Sequence, residues 1–206
     1  NGQHEEMALE HKMGSRGVLQ VAAFHDDNRD VAIYGRGVDM PSSEFIQDYY
    51  SKGFAYDGGS FSDWGARLAL RQKISEDVEF TSVYAYAGAL VPTSDAEGVL
   101  REALRTMPRH SLAAKVSTKL PRTGTSLSTG YKWVSGTSVS RVDPYGESIY
   151  QISPYLYIGI RQPLPKFALG RWEANAECDN LFAQGYVPLS TPEGTVLLVP
   201  AFRSFR

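Results

Sequence analysis

The sequence predicts an all-β fold: an antiparallel up-and-down transmembrane β-barrel, of which residues 1–206 supply a partial barrel domain of about eight to nine strands. Three observations predict it. Apolar and polar residues alternate with period two through most of the chain, and helical periodicity is nearly absent. The connections between alternating segments run short, long, short, long. Aromatic residues make up 12% of the chain, with twelve tyrosines, and several fall near strand ends, where Tyr and Trp favour a membrane–water boundary.

Each element follows from its own residues. Weak alternation at 4–13 and 17–26 flanks the turn Gly14-Ser15-Arg16. In 64–71, Trp64, Ala66, Leu68 and Leu70 oppose Gly65, Arg67, Ala69 and Arg71. The turn Ser75-Glu76-Asp77 then leads to a weaker alternation at 78–90. The clearest strand is 111–120, where Leu112, Ala114, Val116, Thr118 and Leu120 share one face and Ser111, Ala113, Lys115, Ser117 and Lys119 the other. Beyond the turn Pro121-Arg122-Thr123-Gly124, Leu127, Thr129, Tyr131 and Trp133 oppose Ser126, Ser128, Gly130 and Lys132. A weaker segment at 151–161 and a slightly longer turn across 163–170 precede 172–179, where Trp172, Ala174, Ala176 and Cys178 oppose Glu173, Asn175, Glu177 and Asp179. The tail from Thr195 begins a ninth strand. Long links at 27–60, 91–107, 136–147 and 185–194 separate the pairs, and the cluster Val99, Leu100, Ala103 and Leu104 predicts a short helix within 95–105.

A soluble sandwich also alternates, but it has no reason to keep its long loops at one end, whereas a membrane barrel has one rim of turns and one of loops. The polar faces carry Glu6, Glu10, Arg67, Arg71, Lys115, Lys119, Lys132, Glu173 and Glu177, which in a barrel of this kind line a watery lumen. The aromatics Trp64, Trp133, Tyr131, Tyr150 and Trp172 fit girdles at two interfaces; they fit an ordinary apolar core as well, and pattern alone leaves both open.

Composition removes other classes. Net charge is −2 and the pI near 6.1, so there is no basic field for nucleic acid. Mean hydropathy is −0.29, and no run approaches the roughly 18 apolar residues of a membrane helix. A barrel shows the same average, because its strands alternate. The single cysteine, Cys178, excludes an internal disulfide and a cysteine-rich metal site.

The segment Cys178-Asp179-Asn180-Leu181-Phe182-Ala183-Gln184-Gly185-Tyr186 resembles the Asn-Leu-Phe signature near the end of the barrels of TonB-dependent outer-membrane receptors. The residues after it strengthen the likeness: Val187 to Gly194 reads as a loop leading to a proline, and Leu197 to Arg206 as the approach to a last strand. Residues 110–145, with Pro121-Arg122-Thr123-Gly124-Thr125 between two strands and Val142-Asp143-Pro144-Tyr145-Gly146 after them, resemble the group that carries a carboxypeptidase-regulatory-like domain. The resemblance implies a Gram-negative outer membrane, a lipid environment, a plug domain and further barrel strands as partners, and TonB acting through the plug. It also implies import of a scarce small-molecule nutrient of the siderophore, vitamin or glycan class. Neither the plug nor a completed terminal strand is expected within these residues, since barrels of that kind have about 22 strands.

No enzymatic activity and no cofactor are expected. The chain has no Gly-x-Ser-x-Gly elbow and no nucleophile–base set. His25-Asp26-Asp27-Asn28-x-Asp30 is dense in oxygen ligands but lacks EF-hand spacing, and reads as a solvated loop entrance, so no metal is expected. Glu173 and Glu177 read as lumen charges, not as a glycosidase pair. Substrate contact falls to the loops. Tyr49, Tyr50, Phe54 and Tyr56 interleave with polar groups, as a carbohydrate- or chelate-binding surface would, or as a girdle segment would. A passive or structural outer-membrane barrel and a soluble ligand-binding β-barrel stay open as rival functions.

Overall fold

Among the described residues the chain forms fourteen strands and one short helix. In chain order they are β1 (Gly2–Met13), β2 (Gly17–Asn28), β3 (Ala32–Gly37), β4 (Phe45–Gln47), β5 (Gly53–Asp57), β6 (Phe61–Lys73), β7 (Val78–Pro92), β8 (Leu104–Lys119), β9 (Ser126–Val134), α1 (Pro144–Tyr150), β10 (Tyr157–Pro163), β11 (Glu173–Asp179), β12 (Tyr186–Ser190), β13 (Val196–Pro200) and β14 (Ser204–Phe205). This computed structural model describes residues 2–37, 45–47, 53–92, 104–151, 155–164, 172–182, 186–190, 196–200 and 204–205. At 35–37, 45–47, 53–54, 56–57 and in β12, β13 and β14 it describes the backbone alone.

The chain is all-β, and its main element is an antiparallel sheet in the order β1-β2-β6-β7-β8-β9-β10-β11-β14. All eight segments expected from alternation lie in it as neighbours. The sheet is not closed among the described residues: β1 pairs with β2 alone. Neighbouring strands are joined in turn by short and long links, as expected. The short turns use glycine where the backbone needs the left-handed region, Gly14 at φ 63° and Gly124 at φ 71°.

The register fixes which side chains share a face. Leu9, Val21, Leu68, Tyr84, Leu112 and Trp133 stand opposite one another in a row across six strands. One residue along, the row reads Glu10, Gln20, Ala69, Val83, Ala113 and Lys132, on the other face. Because pairing is unbroken, parity carries the assignment across the sheet. Glu6, Glu10, Arg67, Arg71, Lys115, Lys119, Lys132, Glu173 and Glu177 all lie on one face.

Burial is the reverse of a soluble barrel's. On the apolar face Met7 is 80% exposed, Leu9 77% and Trp64 74%, whereas on the charged face Arg67 is 1% and Lys132 4% exposed. The charged face is also the concave one. In a flat sheet β1 and β9 would stand about 24 Å apart, at about 4.8 Å per strand. His4 of β1 and Lys132 of β9 nonetheless both touch the seven-residue α1, through Tyr145 and Glu147. No pair of side chains reaches that far over a flat surface, so the sheet curls around the helix.

Three expectations are corrected. The tail from Thr195 does yield a strand, β13, but it pairs with β12 in a second sheet of order β13-β12-β3-β5-β4. Val196-Leu197-Leu198-Val199 is a run of strand formers without polar alternation, and it closes on its nearest neighbour in sequence, so that part of the expected loop 187–194 is also strand. The ninth place in the main sheet falls to the two-residue β14, with Cys178 opposite Phe205. The segment 151–161 becomes strand only from Tyr157, because α1 precedes it and Gln151 ends α1 at φ 49°. Third, the β7–β8 hairpin runs further than expected, with Val91 opposite Arg105. Leu104 and Arg105 are therefore strand, and the rest of the helix expected at 95–105 lies outside the described residues.

Candidate functional site

The concave face holds a cluster of charges with the β9–β10 segment seated on it. After β9 the chain leaves the sheet: Ser135 N donates to His110 O at 2.8 Å, and Gly136 turns at φ 85°. Val139 N then donates to Leu90 O at 2.9 Å while Leu90 N donates to Ser140 Oγ at 2.8 Å. Val142 is buried against Phe24, Ala87 and Ala89. The helix beyond it starts where Asp143 caps it, its Oδ1 accepting from Gly146 N at 2.9 Å, with Pro144 in the first turn.

Asp143 serves a second purpose. Arg67 Nη1 donates to both of its oxygens, at 3.1 and 3.0 Å, and Arg67 Nη2 donates to Glu6 Oε2. Glu6 also meets His4 Nε2 at 3.1 Å, and the other nitrogen of that ring lies 2.5 Å from Asp26 Oδ1. The His4 ring stacks on Tyr145 at 4.0 Å. The Arg67 guanidinium sits 5.6 Å from the Phe24 ring centre and 5.8 Å from that of Tyr145. Groups from several elements thus converge on one cation, which a buried guanidinium requires if its charge is not to stand alone.

A second pair lies beside it. Lys132 of β9 meets Glu147 of α1, and both side chains are nearly closed to solvent. Tyr150 donates to Gln20 Oε1 of β2 at 2.7 Å, and burial pushes its phenol pKa up. Lys115 Nζ donates to Gln151 O at 3.3 Å. Gly146 has no room for a side chain: a Cβ there would stand 2.2 Å from Asp143 Oδ2 and 2.6 Å from Arg67 Nη1. The seat thus fixes the identity of residues on both sides of it.

The expected lumen charges divide by position. Glu6, Arg67, Lys132 and Lys115 belong to this seat. Glu10 and Arg71 border a cavity of about 310 Å³ under Tyr150 and Ile149. Lys119 borders another of about 360 Å³ near the short turns, with Lys73 and Glu79. Glu173 accepts from Arg161 Nε at 2.7 Å, an exposed pair, and Glu177 is exposed on the same face. Tyr49 and Tyr50 lie outside the described residues, while the backbone of β5 sets Phe54 and Tyr56 in register with Gly35 and Ile33 of β3. The acidic run is split by parity: Asp26 joins the seat, whereas His25 turns to the apolar face beside Trp64, with ring centres 4.6 Å apart. Among the described residues no three ligating side chains are grouped to hold a metal ion.

Sequence reading missed His4, Asp26, Asp143, Tyr145, Glu147 and Tyr150 as members of a site. The single local signal was Asp143-Pro144, a helix start. On the apolar face the aromatics gather toward the long-link end, where Tyr84 Oη and His110 Nδ1 are 2.6 Å apart and Tyr86 packs against the same ring. Trp64 and Trp133 stand in the same half, and Trp172 at the short-turn end. No protein-family model, curated protein or solved structure matches this chain.

Proposed function

We propose that this chain is a stretch of the wall of an outer-membrane β-barrel, that of a TonB-dependent transporter importing a scarce nutrient of the siderophore, vitamin or glycan class. The observation that carries the membrane part is the inverted sheet: an exposed apolar face opposite a covered, charged, concave one. In water an uncovered row such as Leu9, Val21, Leu68 and Leu112 is a liability; against acyl chains it is the favourable face, and the strands between β1 and β11 already pair their backbone groups with a neighbour on each side. Aromatics at both ends of that face fit two interfaces. The transporter part rests on the resemblance of residues 178–186 to the receptor signature and on the alternation of short and long links. On this reading the long links face outside and capture ligand, the concave face guides its passage, and the chain acts as a conduit rather than a catalyst.

The test is uptake by Gram-negative cells that make the whole protein. It is expected in the outer-membrane fraction, and uptake of the imported compound is expected to fall to background when TonB is deleted. Unchanged uptake without TonB would turn the reading to a passive pore. Recovery of the protein in the soluble fraction would end the membrane reading itself.

A further inference from the structure

The link between β9 and β10 joins adjacent strands, which a few residues could do. Instead it turns onto the concave face, where Val139 and Ser140 bind Leu90 of β7 and five further contacts fasten it to five other strands. Tyr145 stacks on His4 of β1, Tyr150 binds Gln20 of β2, Asp143 binds Arg67 of β6, Lys115 of β8 binds Gln151 O, and Glu147 binds Lys132 of β9. Two of the five are ion pairs whose four side chains are each 9% exposed or less. Buried pairs contribute little net stability, but they fix geometry, because a shifted partner leaves a charge alone in a dry place. A loop that leaned on the wall by chance would not exclude water from both.

The geometry points to residues 136–151 as a fixed ledge that narrows the passage, with Arg67 and Lys132 as the positioning residues that hold it. This rests on the transporter reading above. The ledge turns its charges, Asp143 and Glu147, toward the wall, and leaves Ser148 exposed, with Tyr145 and Ile149 touching the wall on one side and 46% and 47% exposed on the other. Tyr145 and Ile149 are four apart on a helix and so stand on one face. At the ledge a solute therefore meets an aromatic–aliphatic surface opposite a wall that is otherwise polar. That suits a ligand with both apolar and hydroxyl or charged parts.

Ser148→Cys in a Cys178→Ser background, in the whole protein in isolated outer membranes, tests the placement. A small maleimide is expected to label Cys at 148, and a polymer-coupled maleimide too bulky for a barrel is not. Adding Arg67→Met and Lys132→Met is expected to raise labelling by the bulky reagent about tenfold or more, as the ledge swings free. Equal labelling by both reagents with the seat intact would overturn the ledge, and so would labelling by neither. Because the first comparison leaves the seat untouched, it stands even if the double variant fails to fold. Failure of the reading it rests on looks different: uptake is then unchanged without TonB, or the protein is absent from the outer-membrane fraction.

Discussion

Arg67 on β6 and Asp143 at the start of α1 are 76 positions apart in sequence, yet Arg67 Nη1 lies 3.1 and 3.0 Å from the two oxygens of that carboxylate, fully enclosed. The same carboxylate caps the helix, so one side chain both starts α1 and anchors it. Local structure and long-range packing here depend on a single residue.

Removing one partner should therefore cost far more than removing both. Asp143→Ala leaves Arg67 buried against Glu6 alone and is expected to loosen the segment by about 3–5 kcal/mol, whereas Arg67→Met with Asp143→Leu recovers most of that. Arg141, with its side chain 62% exposed, is a convenient reporter. Trypsin cleavage after Arg141 in isolated membranes should rise steeply in the single variant and little in the double one. Equal rates in the two would show that the pair does not hold the segment.

Gly146→Ala places a methyl where Asp143 and Arg67 already stand. Overpacking of this kind is expected to cost about 1–3 kcal/mol. The effect should be local: hydrogen exchange at Glu147 and Tyr150 speeds up while amides in β7 and β8 keep their protection. Unchanged exchange at Glu147 would mean that the close contact is relieved without moving the helix.

Asn175 and Ala176 of β11 are both exposed, on opposite faces. In water, arginine at either position would be harmless. If the apolar face meets acyl chains, Ala176→Arg is expected to destabilise by about 2–4 kcal/mol near the bilayer centre, and Asn175→Arg by almost nothing. Urea titration of the protein folded into lipid vesicles reads the difference. Two equal, small effects would place both faces in water.

Cys178 lies on the apolar face, opposite Ile158 of β10. A thiol that faces acyl chains is out of reach of a charged reagent dissolved in water. Charged thiol reagents are expected to leave it unmodified in membranes and to modify it fully once the protein is unfolded. Rapid reaction in the native membrane would put this edge of the sheet in water.

The strands were legible because their signal is local. Period-two alternation needs only the strand itself, and it located eight neighbours of the main sheet and assigned Glu6 through Glu177 to one face. What escaped depends on distance or brevity. A seven-residue helix offers two turns, too few for a 3.6-residue period to stand out, and only Asp143-Pro144 marked it. The pairing of Arg67 with Asp143, or of His4 with Asp26, leaves no trace in either neighbourhood. The strands in the link 27–60 were hidden because Gly35, Gly37 and Gly53 interrupt their alternation, and because β3 takes its parallel partner, Leu189 opposite Arg36, from the far end of the chain.

The most direct measurement is a spin-label scan along β8, one cysteine at a time from Leu112 to Thr118, in the whole protein in lipid vesicles with Cys178 replaced by Ser. Labels at 112, 114, 116 and 118 are expected to collide readily with oxygen dissolved in the bilayer and hardly with a water-soluble nickel chelate. Labels at 115 and 117 should show the opposite, and 113, buried beside Tyr150, little of either. A scan in which the leucine and valine positions meet the chelate, or in which no period of two emerges, would contradict a greasy outer wall around a charged interior.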